Sequence, residues 1–90
     1  MEKSRRQAER VVKGFANHRR IQMLEILDER PDLDLTAIAL ACGINFKTAS
    51  EHVRRLAIAG LVLKKAKGRQ VIHAVSTRGK SVLKFLRALE

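Results

Sequence analysis

Apolar positions along this chain follow two rhythms. Up to Gly60 they recur every three or four residues, the repeat of a helix with one buried side. Just past Gly60 they come in short aliphatic and β-branched runs, which is how strands read. A stripe of Ala8, Val11, Val12 and Phe15 predicts a helix over 3–15, with Arg5, Arg6, Arg10 and Lys13 off the stripe. Asn17 suits the N-cap of a second helix running to about Glu29. Its inner face is Ile21, Leu24 and Leu27, flanked by Met23 and Ile26, and Pro31 prevents its continuation. Asp34 starts a third helix from Leu35 to Cys42, where Leu33 and Ile38 hold the two positions of a hydrophobic staple. Gly43 follows at the left-handed position. Asn45 caps a fourth helix over about 46–59, with Ala49, Val53 and Leu56 on its buried side.

After Gly60, residues 61–65 and 71–75 read as two strands joined by Lys67-Gly68-Arg69-Gln70, where Gly-Arg suits a tight hairpin. Ser76 or Thr77 caps a last helix to about Leu89, whose Val82, Leu83, Phe85, Leu86 and Leu89 cover more than one face. No repeat, low-complexity tract or linker interrupts the chain. The fold class expected is mainly α with a two-stranded β wing, in the order α-α-α-α-β-β-α, as a single domain over 1–90. Two helices joined by a short Gly-containing turn and followed by a basic hairpin make a winged helix-turn-helix pattern.

Composition narrows the function classes. Ninety residues suffice for one small core, which oligomerisation often supports. The aromatics are Phe15, Phe46 and Phe85, with no Trp or Tyr, too few for an RNA surface built on several stacking platforms. The lone Cys42 excludes an intramolecular disulfide and suits a reducing compartment. No apolar run reaches bilayer length, and the first residues lack the apolar core of a signal peptide. The expectation is a soluble cytoplasmic protein at the nucleoid, with no membrane partner.

Charge placement says more. Residues 1–34 carry 8 basic and 7 acidic side chains, whereas 35–89 carry 11 basic and one acidic, Glu51. The formal net charge of +10 therefore sits in the second part of the chain. A basic domain can simply be a solvated surface, but so one-sided a split within one domain points to a polyanion.

A B-DNA major groove accepts one α-helix. With 100° per residue and Ala49, Val53 and Leu56 inward, Lys47, Glu51, Arg54 and Ile58 point outward from the fourth helix. Thr48 and Arg55 lie at one flank and Ser50 at the other. The first turns of such a helix meet base edges, which nominates Lys47, Thr48, Ser50 and Glu51. Lys47 can donate to guanine and Glu51 can accept from cytosine. Arg54 and Arg55, a turn further on, suit phosphates. Glu51 is also spaced for a helix ion pair with Arg54 or Arg55, and the two uses are compatible. Lys47 could equally be a solvated charge. On the hairpin, Lys64, Lys65 and Lys67 suit phosphates and Arg69 the minor groove, unless the charged tip merely protects an edge strand.

From Ala16 to Gly79 the chain resembles the ArsR-type winged-helix transcription regulators, with a broader similarity to MarR-like proteins. The segments that carry the resemblance are ANHRRIQMLEIL (16–27), LDLTAIALACGINFKTASEHVRRLAIAGLV (33–62) and KGRQVIHAV (67–75). It implies a DNA-binding winged helix, places Ser50 and His52 on the family's S-x-H pair of the recognition helix, and places Arg69 on the wing arginine. His52 thereby joins the base-reading candidates. His18 and Phe46 stand where the family has Pro, and His73 where it has Tyr. The thiol-rich metal box of the arsenic and cadmium sensors is missing.

Other chemistries find little support. Cys42 with His18, His52 and His73 matches no local metal-ligand spacing, and Cys42 reads as a small apolar core residue. No cofactor, metal or small-molecule effector is expected, although a site shared across a dimer stays open. There is no phosphate loop and no catalytic constellation, so the chain is not read as an enzyme. The terminal helices (3–15 and 77–89) carry more apolar residues than one small core needs: Val11, Val12 and Phe15 in one, Phe85, Leu86 and Leu89 in the other. They pack either on their own core or, as the resemblance implies, in a homodimer interface. The reading is a sequence-specific regulator binding double-stranded DNA, a repressor by the family's common mode. The alternatives are a structured-RNA or ribosome-associated winged helix, or a protein-interaction module of a larger assembly. Ninety residues leave no room for a separate effector domain.

Overall fold

The structure, a computed structural model, describes residues 2–90. Five helices and one hairpin follow in the expected order: α1 (Glu2–Phe15), α2 (His18–Glu29), α3 (Leu35–Cys42), α4 (Phe46–Ile58), β1 (Val62–Lys67), β2 (Gln70–Val75) and α5 (Thr77–Arg87).

Short polar side chains start these helices. The Asn17 side chain accepts from the Arg19 and Arg20 amides, Asp34 from Ala37, Asn45 from Thr48, and Ser76 from Gly79. Each satisfies donors that an α-helix leaves unpaired in its first turn. α3 and α4 end alike. Gly43 (φ 66°) and Gly60 (φ 74°) turn left-handed, and the next amides, Ile44 and Leu61, reach back to the Ala39 and Leu56 carbonyls at 3.1 and 2.9 Å. These are paired Schellman closures, each followed by an apolar residue that returns the chain to the core.

The hairpin pairs Val62 with Val75 through to Lys67 with Gln70, leaving Gly68 and Arg69 as a two-residue turn. Only Gly68 has a positive φ, the pattern of a type II′ turn. One feature was not legible beforehand. Leu33 forms a single bridge with His73, so the connection into α3 adds a third, one-residue strand beside β2. The His73 ring is buried, and its Nδ1 lies 2.8 Å from the Leu33 carbonyl oxygen. That oxygen can only accept, so Nδ1 carries the proton. Asp32 reaches this bridge through a left-handed φ of 72°, a conformation Asp tolerates.

The core joins Met23, Leu24 and Leu27 of α2 to Ile38 of α3, to Ala49, Val53 and Leu56 of α4, and to Leu61 and Leu83. Each large aliphatic side chain here removes roughly 1.5–3 kcal/mol of apolar surface from water. Three expectations need correction. Met23, expected at the flank, is fully buried while Ile21 is only half-buried, because α2 packs on α3, α4, α5 and β2 and has no single inner face. On α1 the stripe splits: Phe15 is buried and Val11 half-buried, but Ala8 and Val12 face solvent, because only the end of α1 packs on α2 and α4. α5 stops at Arg87 rather than Leu89, as the amides of Leu89 and Glu90 tighten onto the Leu86 and Arg87 carbonyls.

α5 is clamped to the end of α4. The Ser76 hydroxyl donates to the Gly60 carbonyl at 2.6 Å, and Arg78 Nη1 donates to the Ala59 carbonyl at 3.0 Å. A Cβ at Gly79 would collide with the Leu61 carbonyl oxygen, which is backbone and cannot yield. Gly79→Ala should therefore cost about 1–3 kcal/mol in urea denaturation, whereas Lys80→Ala, one residue on and exposed, should stay within about 0.5 kcal/mol. Equal stabilities would refute the close contact.

Candidate nucleic-acid interface

α4 buries Ala49, Val53 and Leu56 completely or almost so, and every other site position on it follows from that seating. Lys47, Thr48, Glu51, Arg54 and Arg55 are exposed, as is Ile58 further along. Ser50 and His52 are half-buried at the margins of the exposed face. Asn45 is occupied as a cap, its carbonyl oxygen 2.8 Å from the Thr48 amide.

Glu51 is already partnered within the helix. Arg54 donates to both of its oxygens at 3.1 and 2.8 Å, and Arg55 Nε to one of them at 3.1 Å. The hydrogen bonds from Arg54 hold the carboxyl below its ordinary pKa. In return the carboxylate holds the Arg54 guanidinium in its charged form. One acid thus sets the orientation of two arginines on the outward face.

His52 faces inward along α4, toward the first turn of α2. Burial lowers its pKa, and the positive charge of Arg20 adds to the effect. Cys42 is in the core, and burial pushes its thiol up, away from the reactive thiolate. His73 is fixed beneath the wing, so His18, His52, His73 and Cys42 do not form a common group. Among the described residues no three metal-ligating side chains gather.

The wing places Lys64, Lys65, Lys67 and Arg69 in solvent. Adjacent strand residues point to opposite faces, so Lys64 and Lys65 do not act together. Lys64 and Arg69 line a depression with Phe46, Thr36 and Asp34, at the start of α3 and α4. Lys65 falls on the opposite face. Gln70 Nε2 donates to Asp34 Oδ2 at 3.4 Å, linking the turn to the α3 cap. Two residues near the site carried no sequence signal. Phe46 is 55% exposed beside the wing, and Arg20 of α2 reaches α4 with a buried Nε that lacks a hydrogen-bond partner among the described residues.

The terminal apolar residues divide. Val12, Phe85 and Leu89 are 51%, 56% and 66% exposed. Phe15 is buried in its own core, and Val11 and Leu86 pack against that core.

His52 makes one pH-dependent contribution. With its folded pKa below the ordinary 6.5, the unfolded chain binds the proton more readily, so stability is lost as pH falls from 6.5 toward that lowered value. His52→Gln should flatten the pH dependence of the urea midpoint in this window. An unchanged slope would show that His52 titrates freely in the folded chain.

Comparison with known proteins places this geometry. A Mycobacterium bovis fragment, described as the homodimeric winged helix-turn-helix DNA-binding domain of a possible ArsR-family transcriptional regulator, superposes with a TM-score of 0.83 at 30% identity, over 92% of this chain and 77% of that one. HlyU from Vibrio cholerae superposes with a TM-score of 0.84 at 28% identity, over 99% and 97% of the two chains. An HTH-type transcriptional regulator of Mycobacterium tuberculosis is 36% identical over 70 residues. That match takes in 78% of this chain, which spans only 30% of the relative's length. No family model matches the chain. The identity to the M. bovis domain, carried across the helix-turn-helix and the wing, shows that the chain belongs to the winged helix-turn-helix transcription regulators of the ArsR type.

Proposed function

We propose that the chain is a sequence-specific duplex-DNA-binding regulator that acts as a homodimer and represses by occupying its operator. One observation carries the reading. α4 is held by a dehydrated inner face while Lys47, Thr48, Arg54 and Arg55 stand in solvent, with the cationic wing beside its first turn. In this reading α4 enters the major groove and Lys47 and Thr48 reach base edges, with Ser50 at the rim. Glu51 either accepts from a cytosine or remains the brace of Arg54 and Arg55, which then meet phosphates with Lys64 and Lys67. Arg69, at the tip of a II′ turn, reaches the minor groove. His52 supports the helix from beneath its rim rather than projecting from its crest.

The homodimer rests on Val12, Phe85 and Leu89, apolar side chains left in water on α1 and α5, and on likeness to the M. bovis domain, itself a homodimer. Two copies would set their α4 helices about 34 Å apart on a pseudo-palindromic site.

Selection of bound sequences from random duplex DNA tests the function. A palindromic motif is expected; preference for structured RNA over duplex at equal salt would overturn the reading. Lys47→Ala should change which sequence is preferred, with each lost base contact worth about 1–3 kcal/mol of discrimination. Lys64→Ala should weaken all duplexes alike and more than Lys65→Ala, because only Lys64 shares a face with Arg69 and Phe46. Equal losses on specific and random DNA would remove Lys47 from the reading set. In sedimentation at micromolar concentration the wild type should be a dimer and Phe85→Asp a monomer. A monomeric wild type would refute the dimer.

A further inference from the structure

We propose that the concavity between α1 and the second half of α4 is a phosphate-binding cleft, which takes the DNA backbone beside the bases that α4 faces. The inference rests on the DNA-binding reading above and extends the contact surface to α1, which the helix-turn-helix pattern leaves out.

The cleft encloses about 390 Å³ and is lined by Arg10, Lys13 and Gly14 of α1, Arg20 of α2, and Arg54, Arg55, Ile58 and Ala59. Five of these eight residues are cationic and none is acidic. The acids nearby do not neutralise it. Glu51 spends its oxygens on Arg54 and Arg55, and Glu9 pairs only with Lys13, at 3.4 Å in solvent. Arg20 is left with a buried Nε that no acceptor among the described residues satisfies. Burial and the repulsion of Arg55 lower its pKa, so the group is held charged at a cost. A tetrahedral oxyanion relieves both defects: it accepts from the Arg20 guanidinium and offsets the gathered like charges.

The geometry also connects the cleft to DNA. Arg54 and Arg55 belong both to the exposed face of α4 and to the cleft wall. The wing lies near Phe46, at the opposite end of the same helix. Wing, α4 and cleft therefore succeed one another along a single element. On α1 the cleft residues avoid the apolar patch, since Arg10 and Lys13 lie roughly 160° and 100° around the helix from Val12. Dimerisation through Val12 leaves them free. Gly14 keeps the floor low, because a side chain there would strike the Ala59 methyl.

The test is the double variant Arg10→Gln/Lys13→Gln, whose altered side chains are exposed and outside the core. Affinity should fall by a similar factor, on the order of tenfold, for specific and random duplexes. The slope of log affinity against log salt should become shallower by about 2, one for each lost phosphate contact. The preferred sequence should not change. In parallel, the Arg20 Nε–H resonance should move in NMR when duplex or inorganic phosphate is added. If wild type binds duplex and the variant binds with the same affinity and salt slope, the cleft is not part of the interface and the proposal falls while the DNA reading stands. If inorganic phosphate moves Arg20 in that case, the site takes a free anion instead, and the backbone assignment is still overturned. If the wild type binds no duplex, the regulator reading fails and the backbone assignment fails with it.

Discussion

The seating of α4 governs the rest of this molecule. Ala49, Val53 and Leu56 are dehydrated against the neighbouring elements, and removing any one would open a cavity that a close-packed interior cannot refill. That constraint fixes the rotation of the helix. Once the inner face is set, the 3.6-residue period leaves Lys47, Glu51 and Arg54 no direction except outward. The helix is also held along its axis, by the Asn45 cap at one end and by the Gly60 closure with Ser76 and Arg78 at the other. Side chains on so fixed a support are ordered before any partner arrives, which lowers the entropic cost of binding.

Electrostatics then divides the work. The acidic residues of the first third of the chain serve largely local tasks: Asp34 caps α3, Asp28 accepts from Arg87, and Glu9 pairs with Lys13. Glu51 is the exception, alone in a basic field. It does not cancel the field so much as shape it, by orienting two guanidinium groups that would otherwise repel each other. Exposed pairs of this kind add little stability, so their effect is positional. The cost of the gathered cations is felt at Arg20, squeezed between burial and Arg55. A surface that holds charge unfavourably in isolation is a surface suited to a polyanion.

The helix-turn-helix was legible in detail because its determinants are local. Asn17, Asp34, Asn45 and Ser76 act on amides two or three residues away, and Gly43 and Gly60 act on the carbonyls just before them. Each helix start and stop depends on nearest neighbours. The hairpin turn was legible for the same reason. α2 was less so, since an element wrapped by four neighbours buries residues around its circumference and the periodic signal fades. That is how Met23 was misplaced. Val12 and Phe15, three residues apart on one stripe, ended in opposite environments because only the end of α1 meets the core.

What the chain alone determined was the order of elements, the inward and outward faces of α4, and the concentration of positive charge after Asp34. These follow from spacing, capping and count, which the unfolded chain already possesses. Folding decided which distant groups meet. The Leu33–His73 bridge joins residues 40 apart, Arg78 closes α4 from the far side of the wing, and Arg10, Arg20 and Arg55 come to share one cleft. Such juxtapositions depend on how helices cross in the packed state. Crossing is settled by the fit of many side chains at once, Gly14 against Ala59 among them, and no short stretch of sequence contains it.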